Sequence, residues 1–205
     1  MNIIVDDEDY PLIIKVASLP GARLQVYFLD NEEFFKRKFV FHDEDDNPFE
    51  DNMERMVFFC KGVLETVKKF GWPPDIIHCH GWMTSLIPLY LRTAYKDDPV
   101  FQSAKILYSA YENQITETFN KKFLEIAAIN NLEEEDLGIF LRGDKIDLDK
   151  GALTYADIII KGSENSNGIV NDLGKKLGKT VVDYQENIDD LLTGHIELYN
   201  QITEE

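Results

Sequence analysis

The chain has 205 residues, of which 38 are Asp or Glu and 21 are Lys or Arg, so its formal net charge is −17. A chain of this length buries roughly 70% of its unfolded surface, and it can therefore fold as one domain without a disulfide or a metal. The excess of acidic residues argues against binding nucleic acid or an anionic membrane surface, because both of those partners attract clustered Lys and Arg.

The composition and the cysteines indicate a globular protein of a reducing compartment. Hydrophobic residues make up 44% of the chain and aromatic residues 12%, which excludes a disordered tail. Cys60 and Cys79 each lie in an apolar stretch, which predicts buried thiols and not a disulfide. The sequence has no basic-then-apolar leader and no apolar run of the ~20 residues that a membrane helix needs. We therefore expect a soluble, cytoplasmic protein.

The first predicted element is a β-hairpin. Leu12–Ser18 and Leu24–Asp30 are β-branched and aromatic runs, and the Pro20-Gly21 dipeptide between them is typical of a turn. The next segment, Asn31–Asn52, is polar and acidic but contains five phenylalanines, some of which must pack against a core. Its acidic cluster, Asp43–Asp46, is most simply a solvated loop.

A helix followed by a buried strand is predicted next. Asp51–Phe70 has apolar residues at three- and four-residue steps, with Asp51 or Asn52 as N-cap and Gly71 beyond its end. Asp75–His80 is a short apolar run after a break, which is typical of a strand buried in a parallel sheet.

Alternation of strands and helices then predicts the fold class. Trp82–Tyr95 is a second helix, in which Pro88 predicts a kink or a late start, and Ala104–Tyr111 is the next strand. The strand–helix order from Leu24 to Tyr111 predicts an α/β protein with a parallel sheet and helices on both faces. The remaining predicted helices are Glu117–Leu132, Asp149–Tyr155, Ser166–Leu177 and Ile188–Ile202, the remaining strands are Ala156–Lys161 and Thr180–Asp183, and Glu133–Asp136 is an acidic loop.

The candidate site follows the strand Asp75–His80. Ligands of an open α/β sheet bind at the carboxyl ends of its strands, and this strand delivers His80, Gly81 and Trp82 to that end. Gly81 allows close approach of a ligand to the backbone, and the free N–H groups of the following helix attract anionic or hydroxyl-rich ligands. This pattern predicts a sugar or phosphate contact by His80, with Trp82 as an apolar wall.

Structural interpretations compete with this site. His78 shares a face of the strand with His80 and fits a core histidine bonded to a backbone carbonyl. His80 fits a ligand-binding residue and a structural residue equally well. Trp82, considered by itself, fits a tryptophan of the core. A metal pair at the two histidines lacks a third ligand at metal spacing. Gly162–Gly168 has neither the dinucleotide fingerprint nor the lysine of a phosphate loop.

The amino-acid sequences of several segments resemble those of one enzyme family. The segment PDIIHCHGWMTSLIPLYLR at Pro74–Arg92 resembles the PDxxHxHDWxTxLxPxYL signature of the bacterial glycogen and starch synthases, glycosyltransferase family 5. Four more segments resemble this family in the correct order: VYFLDN at Val26–Asn31, DNMERMVFF at Asp51–Phe59, YKDDPVFQSAKILY at Tyr95–Tyr108 and KGALTYADIIIKGS at Lys150–Ser163. The resemblance covers nearly the whole chain.

The resemblance implies a fold and a set of site residues. Members of this family have two Rossmann-like domains that face a cleft, the GT-B arrangement, and this chain resembles the N-terminal one. We expect a single domain over residues 1–205, with a hairpin in 1–30, an α/β core in 51–185 and a C-terminal helix in 188–205. His80 resembles the cleft histidine that hydrogen-bonds the transferred glucose, Asp51 and Asn52 resemble the polar pair of the same cleft, and Trp82 the tryptophan after it. Where the family has an aspartate this chain has Gly81, and where the family has a histidine this chain has Tyr111. We expect Gly81 and Tyr111 to contact substrate.

The implied reaction is retaining transfer of glucose from ADP-glucose or UDP-glucose to the non-reducing end of an α-1,4-glucan. Neither a metal nor another cofactor is expected, because Arg and Lys of the family's C-terminal domain stabilise the diphosphate leaving group. This chain departs from the family in lacking its KxGGLxD start and in stopping near Asp189, where the link to the nucleotide-binding domain begins. We therefore expect a protein partner or a missing C-terminal domain, and little activity of the isolated chain.

Three alternatives follow from these departures. The chain is a catalytic-domain protein of a larger or two-chain assembly, a non-catalytic relative that binds glucan or docks on a synthase, or a fragment of a synthase that begins too late at Met1. Because the first strand of such a domain is central, its absence would expose an apolar slot, which a partner strand or upstream sequence would fill.

Overall fold

The computed structural model describes residues 1–112, 119–166 and 168–204. Two antiparallel hairpins come first, formed by the strands β1 (Asn2–Val5), β2 (Glu8–Pro11), β3 (Ile13–Ser18) and β4 (Gln25–Asp30). The helices are α1 (Glu32–Phe35), α2 (Asn52–Phe70), α3 (Leu86–Arg92), α4 (Lys122–Ala127), α5 (Leu148–Tyr155), α6 (Gly168–Leu177) and α7 (Ile188–Glu204). The later strands are β5 (Ile76–His80), β6 (Lys105–Ala110), β7 (Leu141–Arg142), β8 (Lys145–Ile146), β9 (Ile158–Lys161) and β10 (Thr180–Val182).

The centre of the fold is a four-stranded parallel sheet in the order β10-β9-β6-β5. Strand β6 lies inside this sheet, and its residues from Ile106 to Ala110 are all buried, as expected of a strand covered on both faces. This arrangement confirms the predicted α/β class and its parallel sheet.

Part of the predicted alternation was wrong, because β4 does not join the parallel sheet. Within the described part of the chain it pairs with β3 alone, as the hairpin around Gly21 that the turn signal predicted. The first hairpin of the chain, β1–β2, was not predicted, although Ile3 and Val5 alternate with exposed residues and both are buried.

Two predictions in the middle of the chain also need correction. The acidic residues 133–136 are not a loop, because they begin a 3₁₀ helix over Glu134–Phe140. The side chains of Glu133 and Asp136 form a reciprocal capping box that satisfies the first N–H groups of this helix. The helix predicted over 117–132 is shorter, since α4 spans only Lys122–Ala127; residues 117 and 118 lie outside the described residues.

Helix α2 packs its apolar face on the core and anchors the N-terminal hairpins. Met56, Val57 and Leu64 of this helix are buried. A Cβ atom at Gly62 would lie 3.0 Å from the Leu29 side chain, so the absence of a side chain at position 62 lets the second hairpin approach the helix closely. The helix ends where predicted, at Gly71 with φ 61°, a conformation that glycine adopts without strain.

The phenylalanine-rich segment is held by a buried arginine of α2. The Arg55 guanidinium donates hydrogen bonds to the carbonyls of Phe34 and Val40 and to the Asn52 side chain. It also lies 5.4 Å from the centre of the Phe49 ring. The prediction that some phenylalanines pack on a core is confirmed, since Phe34 is fully covered. In the acidic cluster, residues 44–46 are exposed, as expected of a solvated loop, and the Asp43 carboxylate accepts hydrogen bonds from the following backbone.

Two smaller predictions are confirmed, for the start of the helix after β5 and for the cysteines. Helix α3 starts late, at Leu86 after a 3₁₀ turn, so that Pro88 lies in its first turn, where no intrahelical N–H is needed. Cys60 and Cys79 are free thiols, and both are buried. None of the helices in the described part of the chain combines the length and apolarity that crossing a membrane would require.

Candidate functional site

The candidate site lies at the carboxyl end of β5, where two histidines share one face of the strand. The rings of His78 and His80 are 3.9 Å apart between centroids and are inclined by 31°. Cys79 points to the opposite face, into the core, where burial raises the pKa of its thiol to about 12. The predicted alternation of these three side chains is therefore present.

His80 is the exposed member of the pair. Its Nδ1 atom lies 3.0 Å from the hydroxyl oxygen of Tyr111, the residue that follows β6. Partial burial, and after it the neighbouring His195, lower the pKa of His80, so the ring is a neutral hydrogen-bonding group at neutral pH. Its Nε2 atom is the ring nitrogen that this contact leaves for a ligand.

Gly81 turns the chain immediately after His80. Its φ of 70° and ψ of 176° belong to a region that glycine alone adopts readily. The Tyr111 ring lies beside it, since a Cβ atom at position 81 would be 3.8 Å from that ring. The ring is even closer to the loop after β9, where a Cβ atom at Gly162 would be 2.6 Å from it.

We call the open end of the candidate site, around His80, Gly81 and Tyr111, the mouth. Trp82 does not form an exposed wall of this mouth. The side chain is only 7% exposed and packs against Phe41 and Phe119, with ring centroids 4.8 and 5.8 Å away. Its burial agrees with the interpretation as a core tryptophan, because neighbouring rings already cover the indole. A contact between Trp82 and a ligand remains a prediction.

Asp51 and Asn52 are both engaged with protein groups. The Asp51 carboxylate forms a two-pronged ion pair with the Arg37 guanidinium, one contact of which measures 2.8 Å, and it makes no side-chain cap for α2. Asn52 is fully buried, donates to the Phe41 carbonyl at 3.0 Å and accepts from Arg55 at 2.7 Å. Contacts from Asn52 to the Phe41 carbonyl and from the Phe41 ring to Trp82 link Asn52 to the candidate site, and direct convergence of Asp51 on His80 remains a prediction.

His78 is partly buried, but it is not bonded to a backbone carbonyl as the sequence suggested. Its Nδ1 atom is 2.5 Å from the Tyr199 hydroxyl of α7, and its Nε2 atom is 2.8 Å from the Ser109 hydroxyl of β6. Burial, followed by the neighbouring His80 and His195, lowers the pKa of His78 to about 3. The imidazole is therefore neutral at physiological pH.

Sequence reasoning missed the contribution of α7. His195 and Tyr199 are four residues apart on the inner face of this helix, and both approach the His78 ring, with centroids 5.6 and 5.9 Å from it. Two aromatic polar residues on an otherwise apolar helix face are a signal that could have indicated a polar partner, but the pattern does not say which strand they contact.

The described residues hold no group of three or more His, Cys, Asp or Glu arranged to bind a metal ion. The side chains at the mouth are instead imidazole, hydroxyl and phenol groups, which suit a ligand rich in hydroxyl groups.

The sequence of residues 2–179 matches a family described as the starch synthase catalytic domain. The chain belongs to this family. Among curated starch synthase relatives, it is 33% identical to a glycogen synthase of Chlorobium phaeobacteroides over 189 residues, which cover 89% of this chain and 38% of the relative. It is 45% identical to a glycogen synthase of Chlorobium luteolum over 108 residues, which cover 51% of this chain and 22% of the relative.

A solved starch synthase structure shows the same fold. The catalytic domain of starch synthase IV from Arabidopsis thaliana, solved bound to ADP and acarbose, superimposes with a TM-score of 0.72 at 21% identity. The match covers 92% of this chain and 39% of that structure. The chain therefore has the architecture of part of a GT-B starch synthase catalytic domain, and it spans less than two fifths of these longer starch synthase relatives.

Proposed function

We propose that this chain is the glucan-binding half of a glucosyltransferase that transfers glucose from ADP-glucose, or UDP-glucose, to the non-reducing end of an α-1,4-glucan with retention of configuration. The observation that carries this proposal is the starch synthase family match over residues 2–179. The matched region contains His80, which is exposed at the end of the sheet where ligands of such folds bind. His80 hydrogen-bonds the glucose unit, and Tyr111 and the Gly81 backbone lie beside it.

The chemistry of the mouth supports sugar binding over diphosphate binding. His80 and Tyr111 are uncharged donors and acceptors, as sugar hydroxyl groups require. Lys161, at the end of β9, already pairs with Asp183 at 2.6 Å. A diphosphate leaving group needs fixed cations, and we propose that a nucleotide-binding half, in a partner or in a longer chain, supplies them.

The proposal includes the surroundings in which this chain works. The partners are an α-glucan, a nucleotide sugar and the nucleotide-binding half, and the site requires no metal. We place the protein in the cytoplasm, because the thiols of Cys60 and Cys79 persist in a reducing compartment.

Calorimetric titration of the purified chain with maltoheptaose and, separately, with ADP-glucose tests the proposal. We expect maltoheptaose to bind, and His80→Ala to weaken that binding roughly fivefold, since one hydrogen bond contributes on the order of 1 kcal/mol. His42→Ala, which removes a histidine outside the cluster of His78, His80 and His195, is the matched control. Absence of glucan binding by the wild-type chain would refute the proposal.

A second candidate is a non-catalytic glucan-binding relative, which the uncharged mouth also favours. Transfer of radiolabelled glucose from ADP-glucose to glycogen distinguishes the two candidates. Tight binding of ADP-glucose, or transfer by the chain together with a nucleotide-binding partner, supports the enzyme. Glucan binding with neither of these supports the binding module.

A further inference from the structure

A groove of about 530 Å³ lies beside the turn of the second hairpin, and we call it the hairpin groove. It is lined by Trp72, from the loop between α2 and β5, and by residues of the hairpin that include Ser18, Arg23, Leu24, Gln25 and Tyr27. Its volume is in the range of pockets that bind small ligands. Trp72 stands four residues before the start of β5, whereas His80 ends that strand ~13 Å further along it. The hairpin groove is therefore separate from the mouth.

Trp72 is 64% exposed, yet the neighbouring residues hold its backbone in place. Gly71 ends α2 with φ 61°, and two prolines follow at 73–74. A proline fixes its own φ and confines the residue before it to extended conformations. A stiff stretch of chain therefore presents the indole to solvent. Leu24, in the same groove, is also exposed, and neighbouring exposed apolar side chains of this kind are typical of a ligand-binding groove.

The polar groups of the hairpin groove are oriented, and nearly all of them are uncharged. The Tyr27 hydroxyl donates to Oε1 of Gln25 at 2.6 Å, and the Tyr27 ring lies 5.4 Å from the ring of Phe70. The contact with Tyr27 uses the amide oxygen of Gln25 and leaves its N–H₂ group for a ligand. Arg23 is the one charged residue of the lining, so the groove has no carboxylate, although the chain has 38 acidic residues.

This lining suits a neutral ligand that has an apolar face and a rim of hydroxyl groups. An indole ring offers a large, rigid apolar surface on which such a face can stack. Amide and guanidinium N–H groups donate to hydroxyl oxygens. A pyranose sugar combines the two features, because its C–H bonds form an apolar face and hydroxyl groups surround it. A nucleic acid is disfavoured, since a single arginine does not offset the net charge of −17.

We propose that the hairpin groove is a second glucan-binding site, in which Trp72 stacks on a glucose unit and Gln25 and Arg23 donate hydrogen bonds to its hydroxyl groups. The choice of an α-glucan among sugars rests on the proposed function, whereas the groove itself does not. A long glucan that occupies the groove and the mouth of one chain gains affinity, because its second contact is intramolecular. The groove thus anchors the polymer while its non-reducing end stays available to His80.

Indole ¹H–¹⁵N NMR of the complete chain tests this proposal at one residue. The chain has two tryptophans, and the spectrum of Trp72→Phe identifies the signal of Trp72. We expect maltoheptaose to shift this signal saturably, in the wild-type chain and in His80→Ala alike. Gln25→Ala should weaken the affinity read from the signal roughly fivefold, the effect of one hydrogen bond. Phe39→Ala, which removes an exposed ring outside the groove, is the matched control and should leave that affinity unchanged.

Calorimetric titration in the His80→Ala background measures the contribution of the stacked ring. Trp72→Ala should weaken the remaining maltoheptaose binding roughly tenfold, and Trp72→Phe should weaken it less, because a phenyl ring still stacks. A Trp72 signal that does not respond to maltoheptaose would overturn the inference. A dimer in sedimentation equilibrium that Trp72→Ala dissociates would also overturn it, since a second copy of the chain then occupies the groove. A responding Trp72 signal without any binding that depends on His80 would refute the proposed function alone.

Discussion

Acidification is expected to destabilise the protein through His78. Its pKa in the folded chain is lowered to about 3, whereas an unperturbed histidine has a pKa of about 6.5. Folding therefore disfavours the protonated ring. The contribution of His78 to stability is complete above about pH 6.5 and is lost progressively as the pH falls toward 3.

The loss of unfolding free energy at pH 5 follows from the difference between pH 5 and the unperturbed histidine pKa of about 6.5. A difference of about 1.5 pH units corresponds to about 2 kcal/mol, at 1.36 kcal/mol for each unit. Because the side chain is only partly buried, solvent screening reduces this to about 1 kcal/mol. The groups that face His78 are His80 on β5, Ser109 on β6, and His195 and Tyr199 on α7, none of which is a carboxylate that could stabilise the charged ring.

Urea denaturation at pH 7.5 and pH 5.0, followed by far-ultraviolet circular dichroism, measures this contribution. We expect the wild-type chain to lose about 1 kcal/mol more of its unfolding free energy between these pH values than His78→Gln, which retains a donor and an acceptor for Tyr199 and Ser109. His42→Gln is the control for the loss of a histidine outside the cluster. Equal losses in the wild-type chain and His78→Gln would refute the reasoning.

Three further substitutions test other features of the structure. Arg55→Met should reduce the unfolding free energy by about 3 kcal/mol, measured by urea denaturation, because buried carbonyl groups lose their donor. Gly151→Ala should cost about 1–3 kcal/mol in the same assay, since its methyl group would overlap the Phe140 ring. Gly81→Ala should lower the unfolding free energy by about 1–3 kcal/mol, because alanine does not readily adopt the backbone conformation at this position. The NMR spectrum of this variant should show a displaced His80 ring.

Gly151→Ala and Arg55→Met each have their own point of comparison. Gly138→Ala adds a methyl group where no atom lies within 4 Å, and it should leave stability unchanged to within about 0.5 kcal/mol. An equal cost at positions 138 and 151 would contradict the packing argument. Limited proteolysis that leaves residues 36–50 as resistant in Arg55→Met as in the wild-type chain would show that the arginine does not hold this segment.

Local patterns predicted most of the elements because the causes of those elements are local. The apolar periodicity and the glycine after Phe70 were sufficient for α2, and Pro20-Gly21 was sufficient for the second hairpin. The assignment of β4 to the parallel sheet was wrong because a β-rich run has the same composition in either kind of sheet, and its pairing depends on residues far away in the chain.

The site was predicted less completely than the fold. The position of His80, at a strand end before a glycine, is a local property and was recognised. The partners of His78 could not be, since Tyr199 lies 121 residues away and nothing near His78 indicates that α7 packs there. Asp51 and Asn52 illustrate the opposite limit. Their segment was recognised, but the contacts of Asp51 with Arg37 and of Asn52 with the Phe41 carbonyl depend on the path of the segment between α1 and α2.

The slot that receives the Tyr111 ring has an evolutionary consequence. A side chain at position 162 would have to occupy space that the ring already fills, since even a Cβ atom there would be 2.6 Å from it. A larger side chain at position 162 is therefore tolerated only together with a smaller residue at position 111. An alignment of homologues should show covariation, with glycine at position 162 wherever position 111 is a large aromatic residue and larger side chains only where position 111 is small.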